Sequence, residues 1–171
     1  MTERTSGTRV EIRTAELPVS DDRGGDPTVW RADLDSHHCR TARGFLIEAG
    51  VVLGFPAYYG RNWDAFDECF SDLLEVTTGG MGYEFYDRPG RPERTLHLVF
   101  RNAEELLVDA EPRDLGILVW ELLNPRPRYD PPQLWHRYAD LRVTYVCAPE
   151  ARAALTARLR AAERFHPDDP W

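Results

Sequence analysis

A chain of 171 residues, 42% hydrophobic and 29% charged, can bury one good core with appendages but hardly two full domains. Its formal net charge of −8 opposes nucleic-acid binding, because neutralising phosphates needs a basic face; a basic protein is the more natural partner. The first residues carry no apolar signal-like run, and no stretch is long enough to span a bilayer, so a cytoplasmic protein without membrane contact is expected.

Cys39, Cys69 and Cys147 are widely separated and odd in number, which fits reduced thiols better than a disulfide framework. In residues 1–27, Val10 and Ile12 alternate with Arg9, Glu11 and Arg13, a pattern compatible with a short edge strand, and 21–27 reads as a turn or linker. Residues 28–34 have strand composition. Asp35 or Ser36 would then cap a helix over 37–49, with Phe45, Leu46 and Ala49 buried and Gly50 as its stop. His37, His38 and Cys39 are adjacent at that helix start and do not point at one centre, so neither a metal nor a cofactor is expected.

The chain is organised around residues 55–70. Pro56 fixes its own φ and pushes Phe55 toward extended geometry, Gly60 permits a turn, and Asn62 is a good N-cap for a helix opening at Trp63. Trp63, Phe66, Phe70 and Leu73 recur at intervals of three and four, giving an apolar stripe. The other side is acidic: Asp64, Glu68 and Asp72 are spaced by four, Asp67 and Glu75 lie beside them, and no basic residue intervenes. Like charges at that spacing cost a few tenths of a kcal/mol per pair. Such a stripe suits either a solvated helix face or a surface shaped for a cationic partner.

Residues 76–93, with Tyr83, Phe85 and Tyr86 among glycines, read as an exposed loop or small hairpin; Gly79-Gly80-Met81-Gly82 lacks the Lys-Ser/Thr ending of a phosphate-cradling loop. Residues 95–100 are the best central strand. Asn102 could cap a helix through 109, and Pro112 suits the first turn of another reaching about 123. On that second helix Glu121 shares a face with Asp114 and otherwise reads as the one wetted position of a buried helix. Four prolines make 124–132 irregular, with a helical turn expected at 133–138, a third strand at 141–147, and an amphipathic helix over 149–165 that buries Leu155, Leu159 and Ala162.

That order of elements, and above all the run Pro-x-Tyr-Tyr-Gly-x-Asn-x-Asp-Ala-Phe-x-x-Cys from Pro56 to Cys69, resembles the barstar family of intracellular ribonuclease inhibitors. The resemblance implies an α/β fold, a small three-stranded parallel sheet packed with helices over 28–148. Additions to it would be an N-terminal extension (1–27), loop insertions near 76–93 and 124–138, and a C-terminal helix and tail (149–171). It further implies a protein without chemistry that binds a basic microbial ribonuclease one-to-one and plugs its active site. Tyr58 would be the aromatic contact, Asp64 the first interface acid, Glu68 the residue standing where the family's dominant Asp stands, and Glu121 the acid on the later helix. Tyr59, Gly60, Asn62, Asp67, Ser71 and Asp72 complete the implied contact surface. The chain departs from the pattern at Glu68, one methylene longer than Asp, at Asp67 in place of an interface Trp, and at Ser71-Asp72-Leu73 in place of Thr-Gly-Trp, so the resemblance does not name the nuclease. Two other readings stay open: an interaction domain on the same fold that does not inhibit a nuclease, and a hydrolase using Asp64 and Glu68 as a carboxylate pair.

Overall fold

The computed structural model describes residues 8–15, 26–77, 79–125 and 137–167. In chain order the elements are β1 (Arg9–Thr14), β2 (Val29–Asp35), α1 (Ala42–Val52), α2 (Trp63–Leu74), β3 (Glu75–Thr77), β4 (Gly80–Met81), β5 (Thr95–Arg101), α3 (Pro112–Leu123), β6 (Arg137–Tyr138), β7 (Asp140–Cys147) and α4 (Arg152–Ala162). The main sheet is parallel throughout, in the order β1-β7-β5-β2. It therefore has four strands rather than three. The extra one is the alternating Arg9–Thr14 segment, which runs parallel to β7 from Arg9↔Arg142 to Thr14↔Cys147. Without it the outer edge of β7 would leave a row of backbone groups unpaired. Thr8 anchors its start, its hydroxyl donating to the Leu122 carbonyl at 2.7 Å.

The sheet is one half of a two-layer arrangement. Leu96, Leu98 and Phe100 of β5 and Leu141, Val143 and Tyr145 of β7 belong to a single core cluster with the buried faces of all four helices, and Phe100 stacks on its register neighbour Tyr145 at 5.2 Å. The other face is polar, with His97 bonded to Thr144 at 2.9 Å and Asp33 held by Arg31 and Arg101. Burial alone would raise the Asp33 carboxyl, but the Arg31 hydrogen bond and the two guanidinium charges outweigh it and hold the group below the usual carboxylate range. A parallel sheet usually reads as continuous apolar runs because helices cover both faces; here one face is charged, and the strands alternate.

Helix α1 starts later than the sequence suggested. Thr41, not Asp35 or Ser36, is the N-cap, accepting from the Gly44 N–H at 3.1 Å. Asp35 is occupied instead, taking bonds from the His37 N–H and the Asn102 amide. Nor does Gly50 end the helix, which continues to Val52, with Gly54 beyond it at φ +64°. Gly50 serves packing: a Cβ there would lie 2.8 Å from the Tyr59 ring. After Asn102 a single 3₁₀ turn (Ala103–Glu105) replaces the expected helix.

Residues 76–93 include the small hairpin, one of their two expected forms, with β3 pairing antiparallel with β4. They carry β4 and a 3₁₀ turn (Tyr83–Phe85), and β3 pairs with both β4 and β6 in a second, antiparallel sheet. Met81 and Phe85 are buried, joining the core. Of the expected turn at 133–138, only Arg137–Tyr138 falls among the described residues, and it forms β6. Helix α4 follows a short 3₁₀ start and buries Leu155, Leu159 and Ala162 as its pattern indicated.

Two measurements test this packing. All three cysteines are buried and free, and burial pushes the Cys39 thiol up to about 12, so the folded protein should leave all three unreacted with a thiol reagent near neutral pH and expose them together on denaturation. Because the folded-state pKa of Cys39 lies above its unfolded value, its contribution to stability is present below the unfolded pKa and is lost as pH rises toward about 12. Gly50→Ala would normally gain about 1 kcal/mol in a helix interior. Here the collision with the buried Tyr59 ring should reverse the sign, lowering stability in urea denaturation by about 1–2 kcal/mol.

Candidate functional site

The N-terminus of α2 is fixed locally, the Asn62 side chain accepting from the Ala65 N–H at 2.8 Å. Its apolar stripe is then locked by rings: Phe66 stacks on Phe70 at 5.3 Å and meets Phe45 edge-on at 5.3 Å, while Trp63 stacks on Phe45 at 5.5 Å. Carboxylates on the opposite side are thereby held by a rigid element instead of a loop. Asp64 and Glu68 are exposed and Asp67 is half-buried. Neither Asp64 nor Asp67 takes part in an ion pair among the described residues.

The preceding loop separates its two tyrosines. Tyr59 is 9% exposed, with its ring 4.9 Å from that of Phe55 and seated over Gly50. Tyr58 points outward at 64% exposure. Partial burial, followed by the fields of Cys69, Asp72 and Glu68, raises the Tyr58 hydroxyl above its ordinary range, which places the phenol beside the acidic helix. Gly60 and Asn62 are exposed between them, and Arg61 holds a left-handed backbone at φ +53°.

Helix α3 faces α2 across a cleft of about 430 Å³. Asp64 and Asp67 line it from one side, Glu111, Asp114 and Glu121 from the other. The seam is set by the Trp63 indole N–H, which donates to one Asp114 oxygen at 2.8 Å while the Glu111 backbone N–H donates to the other at 3.2 Å. Glu121, 8% exposed, lies at the buried end of this acidic lining. The cleft is not uniformly negative. Arg113 lines it too, and Arg43 and Arg61 border an adjoining cleft shared with Trp63 and Asp114.

The fold leaves Tyr58, Asp64 and Glu68 exposed and Asp67 half-buried, sets Asp64, Asp67 and Glu121 in the lining of one cleft although Glu121 is itself buried, and withdraws others. Tyr59 is a core ring. Ser71 and Asp72 are buried, at 8% and 3% exposure, and the segment after α2 returns against the same helix end, the Leu73 side chain lying 3.1 Å from where a Cβ on Gly82 would sit. Their spacing put them on the acidic stripe, and only the tertiary structure decides that they are buried. Arg43, Arg61, Trp63 and Glu111 were not singled out as contacts from the sequence, where the one signal for this cleft was Asp114 and Glu121 seven residues apart on one helix face. His37 and His38 are exposed while Cys39 is fully buried, and among the described residues no group of three or more His, Cys, Asp or Glu could hold a metal ion. No described helix is long and apolar enough to cross a membrane.

No curated protein sequence matches the chain. Among solved structures it is similar to the Aeropyrum pernix ORC2 protein in its ADP form, with a TM-score of 0.53 and 13% identity over 92% of this chain and 40% of that one. The ADPNP–ADP complexes of the same protein give 0.50 and 13% over 91% and 38%. The chain spans about two fifths of those structures, and at this identity the likeness concerns the fold alone. The family model described as barstar (barnase inhibitor) matches residues 31–123. That match exceeds half of the chain and takes in both helices that wall the cleft, and on its extent the chain belongs to the barstar family.

Proposed function

We propose that the protein binds a basic, secreted-type ribonuclease one-to-one in the cytoplasm and inhibits it by filling the phosphate-binding groove of its active site. A groove built to hold RNA is lined with cationic side chains, and carboxylates on a rigid helix can take the places of phosphates without being cleaved. The observation that carries this reading is the pair Asp64 and Asp67, held on α2 without an ion pair of their own among the described residues and facing Glu121 across one cleft, in a barstar-family chain. Tyr58 adds an exposed aromatic contact, and Glu68, exposed next to it, provides the acid one turn further along. Gly60 and Asn62 shape the loop that presents them.

A second reading has one observation in its favour. Carboxylates from two helices face each other across the cleft, an arrangement that acid–base hydrolysis of a small substrate would also use. Turnover separates the two: an inhibitor acts stoichiometrically and leaves model phosphodiester and glycoside substrates intact.

Titrating a panel of secreted microbial ribonucleases with the protein should silence one of them at a 1:1 ratio, with an association rate that falls as salt rises, since exposed charges are screened within about 10 Å at 0.1 M salt. Asp64→Ala or Glu68→Ala should each weaken that complex by about 2–5 kcal/mol, the range for truncating one partner of a buried interfacial charge pair, for which this family's own complex is a standard illustration. An unchanged affinity in both variants, or substrate turnover lost in Glu68→Gln, would overturn the inhibitor reading.

A further inference from the structure

In this chain Ser71 and Asp72, on the C-terminal half of α2, are buried. The segment that follows the helix makes an unusual display. Tyr86 is 80% exposed and Tyr83 43% exposed, and their rings lie 6.4 Å apart. Tyr86 also holds a left-handed backbone, φ +58°, directly after the 3₁₀ turn. For a bulky residue that conformation costs on the order of 1 kcal/mol, and such outliers persist where the surroundings impose them. The segment is anchored against the tyrosine loop: Phe85 meets Phe55 at 6.2 Å, and the Arg88 guanidinium reaches to within 3.0 Å of where a Cβ on Gly54 would sit. Asp87 acts on the Tyr58 phenol through its charge but is already held by the Arg88 guanidinium in two 2.7 Å bonds, and Glu84 accepts the Tyr86 hydroxyl at 2.8 Å.

We infer that Tyr83 and Tyr86, with Glu84, form a second contact surface continuous with Tyr58 and Glu68, which grips a cationic rim of the same partner outside its active-site groove. This rests on the inhibitor reading and names what it adds: the partner must carry Arg or Lys beside the groove as well as within it. Phenol faces next to the Glu84 carboxylate suit a guanidinium or ammonium, which the rings attract and the acid neutralises. Exposed tyrosines of this size are otherwise a liability on a solvated surface, and at interfaces they rank among the residues that dominate binding. The surface takes over the flank of α2 that the buried Ser71 and Asp72 have left.

Tyr86→Gly separates binding from folding, since glycine adopts positive φ without strain. Its thermal midpoint should equal or exceed that of the parent protein, while its complex with the ribonuclease identified by titration should dissociate roughly tenfold faster. Tyr83→Ala should show the same acceleration. Wild-type dissociation rates in both tyrosine variants, with Asp64→Ala still weakened, would overturn this inference and leave the inhibitor reading standing. Wild-type rates in Asp64→Ala as well, or no response from any ribonuclease, would bring down both.

Discussion

The bond from the Trp63 indole to Asp114 joins the two helices on which the site depends. It ties the first turn of α2 to the first turn of α3, and Asp114 is simultaneously held by the Glu111 backbone. With the seam fixed there, Asp64 and Asp67 on one helix and Glu121 on the other line a common cleft. Trp63 itself is held by stacking on Phe45 of α1. Three helices therefore share one aromatic junction, and the polar cleft is built outward from it.

Concentrating negative charge on one surface works against folding, through repulsion within α2 and between the walls of the cleft. Burial offsets it. The stripe Phe66, Phe70 and Leu73 is almost fully inside, and each such side chain contributes about 1.5–3 kcal/mol on leaving water, against a few tenths lost per like-charged pair. Of the arginines nearby, Arg113 lines the cleft itself and Arg43 and Arg61 lie in an adjoining one.

Local chemistry was legible wherever neighbours in sequence settle it. The Asn62 cap, the α2 stripe, the opening of α3 at Pro112 and the buried face of α4 follow from spacing and capping, which act within a turn or two. The strand order was less accessible. Two central strands were clear, but β1 alternates only briefly, and its place beside β7 depends on an edge more than 120 residues away in sequence. In residues 76–93 the hairpin was legible as an alternative and Tyr83 and Tyr86 are exposed as composition suggests, whereas Met81 and Phe85 find a core that other segments build. For the site itself, Tyr58, Asp64, Asp67 and Glu68 were placed by the motif and Glu121 by a helix face, while Tyr59, Ser71 and Asp72 were put on the surface and lie inside.

What the amino-acid sequence determined by itself is a capped helix with an apolar side and an acidic side, following a tyrosine turn, because propensity, capping and periodicity are properties of residues within four or five positions of one another. Which of those acids reach solvent, which helix stands opposite, and which tyrosine is a ring in the core were decided only by the tertiary structure. Exposure depends on what distant segments cover, and no local pattern records where the chain will return.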